Sequence, residues 1–80
     1  MNTATQQLTI ETVDEIARGI LTTRVLNVST NGERPTTVVH THYGNSWDIH
    51  YLGVHYDNAD PIDPKMKPLL DAIHRFAINN

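Results

Sequence analysis

Thr12-Val13-Asp14-Glu15-Ile16-Ala17-Arg18-Gly19-Ile20-Leu21-Thr22 is the stretch on which the fold class turns. Val13, Ile16, Ala17, Ile20 and Leu21 stand at i, i+3, i+4, i+7 and i+8, the apolar stripe of a helix. Thr12 with Glu15 three residues on has the form of a capping box, and Asp14 and Glu15 occupy the first turn, where the helix dipole favours carboxylates. Gly19 weakens such a helix by about 1 kcal/mol relative to Ala, or ends it as a C-cap. The spacing predicts a helix over 13–22. Ahead of it, residues 1–7 are small and polar and read as a loose terminus, and Leu8-Thr9-Ile10 alternates as a short edge strand does.

Downstream, 24–30 is rich in Val and other β-branched residues and reads as a strand. Asn31-Gly32 then supplies the strongest short hairpin signal, with Pro35 held to a strand start or an edge. Residues 36–43 and 47–56 form the second and third strands, separated by Gly44-Asn45-Ser46. Residues 57–67 are an Asp- and Pro-rich loop. Asp63-Pro64 could cap a helix, but Pro68 would sit inside it, so the final helix is placed over 68–78. Leu69, Leu70, Ile73, Phe76 and Ala77 make its apolar stripe. The expected fold is α+β: one domain over 1–80, a two-layer sandwich in the order helix, three-stranded antiparallel meander, helix (α-β-β-β-α).

The loop between the second and third strands sets which residues share a face, since a one-residue slip turns a whole strand over. A three-residue loop over 44–46 pairs Tyr43 with Trp47, Thr41 with Ile49 and Val39 with Tyr51. It puts His42 opposite Asp48, His40 opposite His50 and Val38 opposite Leu52. A two-residue loop would set Ile49 against a histidine, so the three-residue loop is preferred. Reading Asn31-Gly32 as a two-residue loop pairs Leu26 with Thr37 and Arg24 with Val39. The helices are then expected to cover Leu26, Val28, Val39, Trp47, Ile49 and Tyr51. The opposite face keeps Val25, Val38, His40, His42, Asp48, His50, Leu52 and Val54 uncovered, a mixture more typical of an interface than of bare surface.

Composition bounds the function. Eighty residues hold one thin core. Six Lys and Arg against nine Asp and Glu give a net charge of −3, which argues against a surface built to track phosphates. Cysteine is absent, so disulfides, thiolate catalysis and thiolate zinc sites are excluded. The chain holds no 18-residue apolar run, residues 1–10 lack the pattern of a signal peptide, and a cytoplasmic location is expected. Five histidines, four of them between positions 40 and 55, are the groups that could change charge near neutral pH.

Two readings of that cluster carry chemistry. His40, His42 and His50, with Asp48 as fourth ligand or hydrogen-bond acceptor, could hold zinc or a similar ion. His42 beside Asp48 could act in acid–base catalysis, but no pocket or activated nucleophile accompanies them, so no catalytic residue is assigned and an enzyme is not expected. Other matches are structural. Asn27-Val28-Ser29 is a chance sequon, and Asp57, Asp60 and Asp63 are spaced by three rather than by the two of a calcium loop. Pro61-Ile62-Asp63-Pro64 is a turn and cap, and the four glycines form no phosphate loop.

The expected function is therefore binding of another protein, as an inhibitor or adaptor of the kind phages and mobile elements encode. Its surface would comprise Val38, His40, His42, Asp48, His50 and Leu52, extended by Tyr56, Asp57 and Asp60. The same face could close a homodimer, stacking His40, His42 and His50 against their mates. The zinc site is one alternative. A nucleic-acid-binding domain is another, since double-stranded RNA-binding domains share the α-β-β-β-α order; their basic patch is matched here only by Lys65 and Lys67 among acidic residues.

Overall fold

The computed structural model describes residues 7–79. Five antiparallel strands run as one meander: β1 (Leu8–Arg18), β2 (Leu21–Thr30), β3 (Thr36–Tyr43), β4 (Ser46–Tyr51) and β5 (Val54–Asp57). A single helix, α1 (Lys67–Asn79), closes the chain and packs on one face of the sheet. This corrects the helix–meander–helix sandwich: the molecule is mostly sheet, and among the described residues it has one helix. The topological likeness to double-stranded RNA-binding domains goes with it. The loose terminus expected at 1–7 lies outside the described residues except for Gln7, whose N–H donates to Asn31 Oδ1 at 2.9 Å.

The helix expected over 13–22 is the second half of β1, a turn and the start of β2. A β-bulge at Val13 explains the misleading period. Leu8, Ile10 and Thr12 face α1, opposite Thr30, Val28 and Leu26; beyond the bulge Glu15 and Ala17 take that side, opposite Arg24 and Thr22. One inserted residue converts a period of two into a step of three, so Thr12 and Glu15 share a face and the strict alternation that marks a strand is lost. The supposed stripe is not core: Val13, Ile16 and Ile20 are each more than half exposed. A ten-residue helix without burial is marginal in water, whereas β1 gains a full cross-strand ladder. Gly19 (φ 61°) stands first in the two-residue turn joining Arg18 to Leu21, a left-handed position that glycine fills without steric cost.

Both expected registers around β3 are also off by one, and the two errors turn only that strand over. Thr30 and Glu33 close a turn (3.0 Å) whose central residues, Asn31 (φ 53°) and Gly32 (φ 75°), have the signs of a type I′ turn. Pairing then resumes only at Thr36, after Pro35, which has no N–H to donate. Leu26 thus faces Val38, and Arg24 faces His40. At the next turn Gly44 (φ 59°) takes the first position of a two-residue loop, so Tyr43 pairs with Ser46, His42 with Trp47, His40 with Ile49 and Val38 with Tyr51. Val39 therefore faces away from α1, and Val38, His40 and His42 face it. The third strand expected over 47–56 is broken in two at Leu52-Gly53, where Leu52 itself is left-handed (φ 52°).

The core lies between α1 and the middle of the sheet. Leu70, Ile73 and Ala77 meet Leu26, Val28, Val38 and Ile49, all essentially without solvent contact. Each fully buried Leu or Ile side chain contributes about 1.5–3 kcal/mol. Leu69 and Phe76 flank this seam as the helical stripe anticipates. The Asp63 carbonyl accepts N–H groups of Met66 (2.8 Å) and Lys67 (3.1 Å), so a short turn leads into α1 and leaves Pro68 in its first turn, where a missing N–H costs nothing. Overall dimensions are 49 × 28 × 23 Å.

Candidate functional site

Residues two apart on a strand share a face, so the register divides the histidines into two groups. On the covered face, the row Glu15–Arg24–His40–Ile49–Tyr56 crosses the sheet beside Ala17–Thr22–His42–Trp47. On the bare face, Asp14–Val25–Val39–His50–His55 lies beside Ile16–Thr23–Thr41–Asp48–Asp57.

His40 is fully buried. Its Nε2 is 2.9 Å from Nδ1 of His74 on α1, one nitrogen donating and the other accepting. His74 in turn stacks on Trp47 (centroids 5.1 Å apart), and the His42 ring lies 5.6 Å from that of His40. Burial, with no carboxylate alongside and the positive charges of His74, His42 and Arg24 nearby, lowers the His40 pKa from 6.5 to about 4. Burial and His42 also lower that of His74, opposed by Asp71. Arg24, itself buried, pairs its Nε with Glu15 Oε1 at 3.0 Å. Nδ1 of His42 is buried without a hydrogen-bond partner, and that of His40 meets nothing beyond its own backbone. The arrangement favours neutral His40 and His74, whose facing nitrogens are spent on one another.

On the bare face, Asp48 and Asp57 are directly opposed across β4 and β5, and His50 and His55 are opposed in the neighbouring row. His55 Nε2 lies 3.2 Å from Asp48 Oδ1, and the His50 and His55 rings are 4.7 Å apart. Asp57 Oδ1 accepts the N–H groups of Ala59 (2.9 Å) and Asp60 (3.0 Å), which fixes that carboxylate. The Thr41 hydroxyl, next to Asp48 in its row, is 3.2 Å from that of Thr23 and is engaged there. Further along the face, Leu21 lies opposite Tyr43, so Ile16, Leu21, Val25, Val39 and Tyr43 form an apolar strip over β1–β3.

The structure thus separates the residues expected to act together. His40 and His42 face α1 while His50 and Asp48 face away, so those four cannot close on one ion, nor can the three histidines stack against a symmetry mate. Val38 is core, and Tyr56 packs against the core from the covered side. Leu52 is exposed at the β4–β5 tip, and Asp60 lies in the loop beyond β5. Two residues were missed. His74 follows Ile73 on the helix and was hidden by the inverted face of β3. His55 was placed on the same strand as His50, where reading Leu52-Gly53 as a tight turn would have set it opposite.

Two shallow depressions flank α1, one lined by Leu8, Ile10, Arg75 and Phe76 and the other by Pro64, Lys67, Pro68 and Asp71. Neither is lined by a histidine. Among the described residues, no helix is long and apolar enough to cross a membrane. No family model, curated protein or solved structure matches the chain.

Proposed function

We propose that this chain is a small, non-catalytic protein-binding domain of inhibitor or adaptor type, acting in the cytoplasm through the sheet face that α1 leaves bare. The observation that carries the reading is the strip of Ile16, Leu21, Val25, Val39 and Tyr43. Tyr43 is 57% and Ile16 52% exposed, and Thr23 and Thr41 lie among them. Aromatic and aliphatic side chains in one patch with a polar rim are the composition of an interface. The rim is largely acidic, with Glu11, Asp14, Asp48 and Asp57 on the same face and Arg18 beside Leu21, so the partner presents an apolar centre bordered mainly by Lys or Arg.

A photo-reactive amino acid at Val39 or Tyr43, with Arg75 on α1 as the control position, tests this in the native host. The expected result is one stoichiometric adduct from the sheet positions, lost in Leu21→Ser and absent from position 75. Equal adducts from both faces, or none from the sheet, would overturn the reading. An adduct between two copies of the chain would replace the foreign partner by a homodimer.

A further inference from the structure

Two carboxylates placed directly opposite one another on neighbouring strands repel, and a sheet gains nothing from the pair unless a cation sits between them. Asp48 and Asp57 are such a pair, at the edge formed by β4 and β5. No Lys or Arg stands in their row, whose other members are Ile16, Thr23 and Thr41. An imidazole does stand beside them. One ligand atom each from Asp48, His55 and Asp57 lie within 4.8 Å of one another. Among the described residues this is the one group of three metal-binding side chains whose donors converge.

We infer that Asp48, His55 and Asp57 form a binding site for a divalent transition-metal ion. Ligands about 2.0–2.1 Å from a tetrahedral ion lie about 3.3 Å from one another. The 3.2 Å between His55 Nε2 and Asp48 Oδ1 already meets that spacing, and an Asp57 oxygen lies within 4.8 Å of both donors. All three ligands stand on the paired strands β4 and β5, and Asp57 is further held by the Ala59 and Asp60 N–H groups. His50, its ring against that of His55, limits how far the latter can swing. Two oxygens and one nitrogen suit Zn²⁺ and its first-row neighbours; Ca²⁺ and Mg²⁺ have little use for an imidazole. Three protein ligands on the bare face leave the remaining coordination positions open to water.

The test is calorimetric titration of the untagged chain with Zn²⁺, Mn²⁺ and Ca²⁺, beside Asp48→Asn, Asp57→Asn and His55→Ala. Wild type should take up one Zn²⁺ per chain, and each variant should bind about tenfold or more weaker. His42→Gln, on the other face, should bind as wild type does. In the metal-free protein Asp48→Asn should unfold at an equal or higher temperature than wild type, because it removes the repulsion; this separates lost ligation from lost folding. Co²⁺ should broaden the His55 ring resonances and spare those of His74. Absence of saturable Zn²⁺ uptake by wild type, unchanged binding in both Asn variants, or uptake abolished by His42→Gln would each overturn the site.

Discussion

Histidines on the two sides of this sheet have the same chemistry and opposite circumstances. Under α1, His40, His42 and His74 meet one another, Trp47 and the nearby Arg24. On the bare side, His55 meets Asp48 and lies near Asp57, and the His50 ring lies against that of His55. Burial without an adjacent anion favours the neutral form of His40, which spends Nε2 on His74, whereas His55 stands half-exposed with its Nε2 beside the Asp48 carboxylate. A count of histidines is thus a poor guide to function until each is assigned to a face. The division rests on a sheet that is packed on one side only.

The largest effect should come from the packing difference. Ile49→Ala, which opens a cavity beneath α1, should cost about 3 kcal/mol, whereas Val39→Ala on the bare face should cost under about 1 kcal/mol. Urea denaturation midpoints measure both, and similar losses would show that the second face is packed after all.

Next in size is a pH effect from His40 and its partner His74 under α1. The folded-state pKa of His40 is below its unfolded value, so the unfolded chain binds the extra proton. Stability is then complete above about pH 6.5, falls as pH drops toward 4, and levels off below that. The loss over this window is on the order of 3 kcal/mol for His40, and His40→Gln should remove most of it. Denaturation curves at pH 7, 5.5 and 4.5 measure the slope; a variant as pH-sensitive as wild type would contradict the assignment.

The smallest effect concerns Leu52, left-handed at φ 52° and 70% exposed at the tip joining the two strands that carry Asp48 and His55. Asparagine tolerates that conformation better, so Leu52→Asn should raise stability by about 0.5–1 kcal/mol. A lower melting temperature instead would show that the leucine contributes packing that outweighs its strain.

The residues that reveal their structure in sequence are those whose local preference and tertiary role agree. Leu69, Leu70, Ile73, Phe76 and Ala77 keep helical spacing and pack as a helical face, so α1 is legible to within a residue at each end. The strand character of β2 and β3 is legible in their β-branched runs. What escapes is parity. The bulge at Val13 adds one residue to β1 and disguises its period. Arg34 and Pro35 extend the loop after Asn31-Gly32 by an amount that the turn signal alone does not specify. Leu52-Gly53 lacks the Asn or Asp that normally announces its turn, and β5 with His55 is lost to view. Sorting apolar from polar residues also misleads at Gly44-Asn45: the sorted register looked cleaner, yet the real one buries His40 because His74 arrives from α1 to satisfy it. That partner is distant in sequence, so no local pattern around the strand points to it.

The bulge in β1 has a further consequence for how the molecule behaves in a crowd. β1 is the first strand of the meander, eleven residues long, and its outer edge has no neighbouring strand among the described residues. An edge of that length is a template on which another chain could add itself, and another on that, until a fibre grows. The misfit at Val13 divides the template into two short runs that no straight strand can follow together, and Asp14, Glu15 and Arg18 set charge along the second. The residue that disguises the strand in the sequence is thus also one that works against edge-to-edge growth of the sheet.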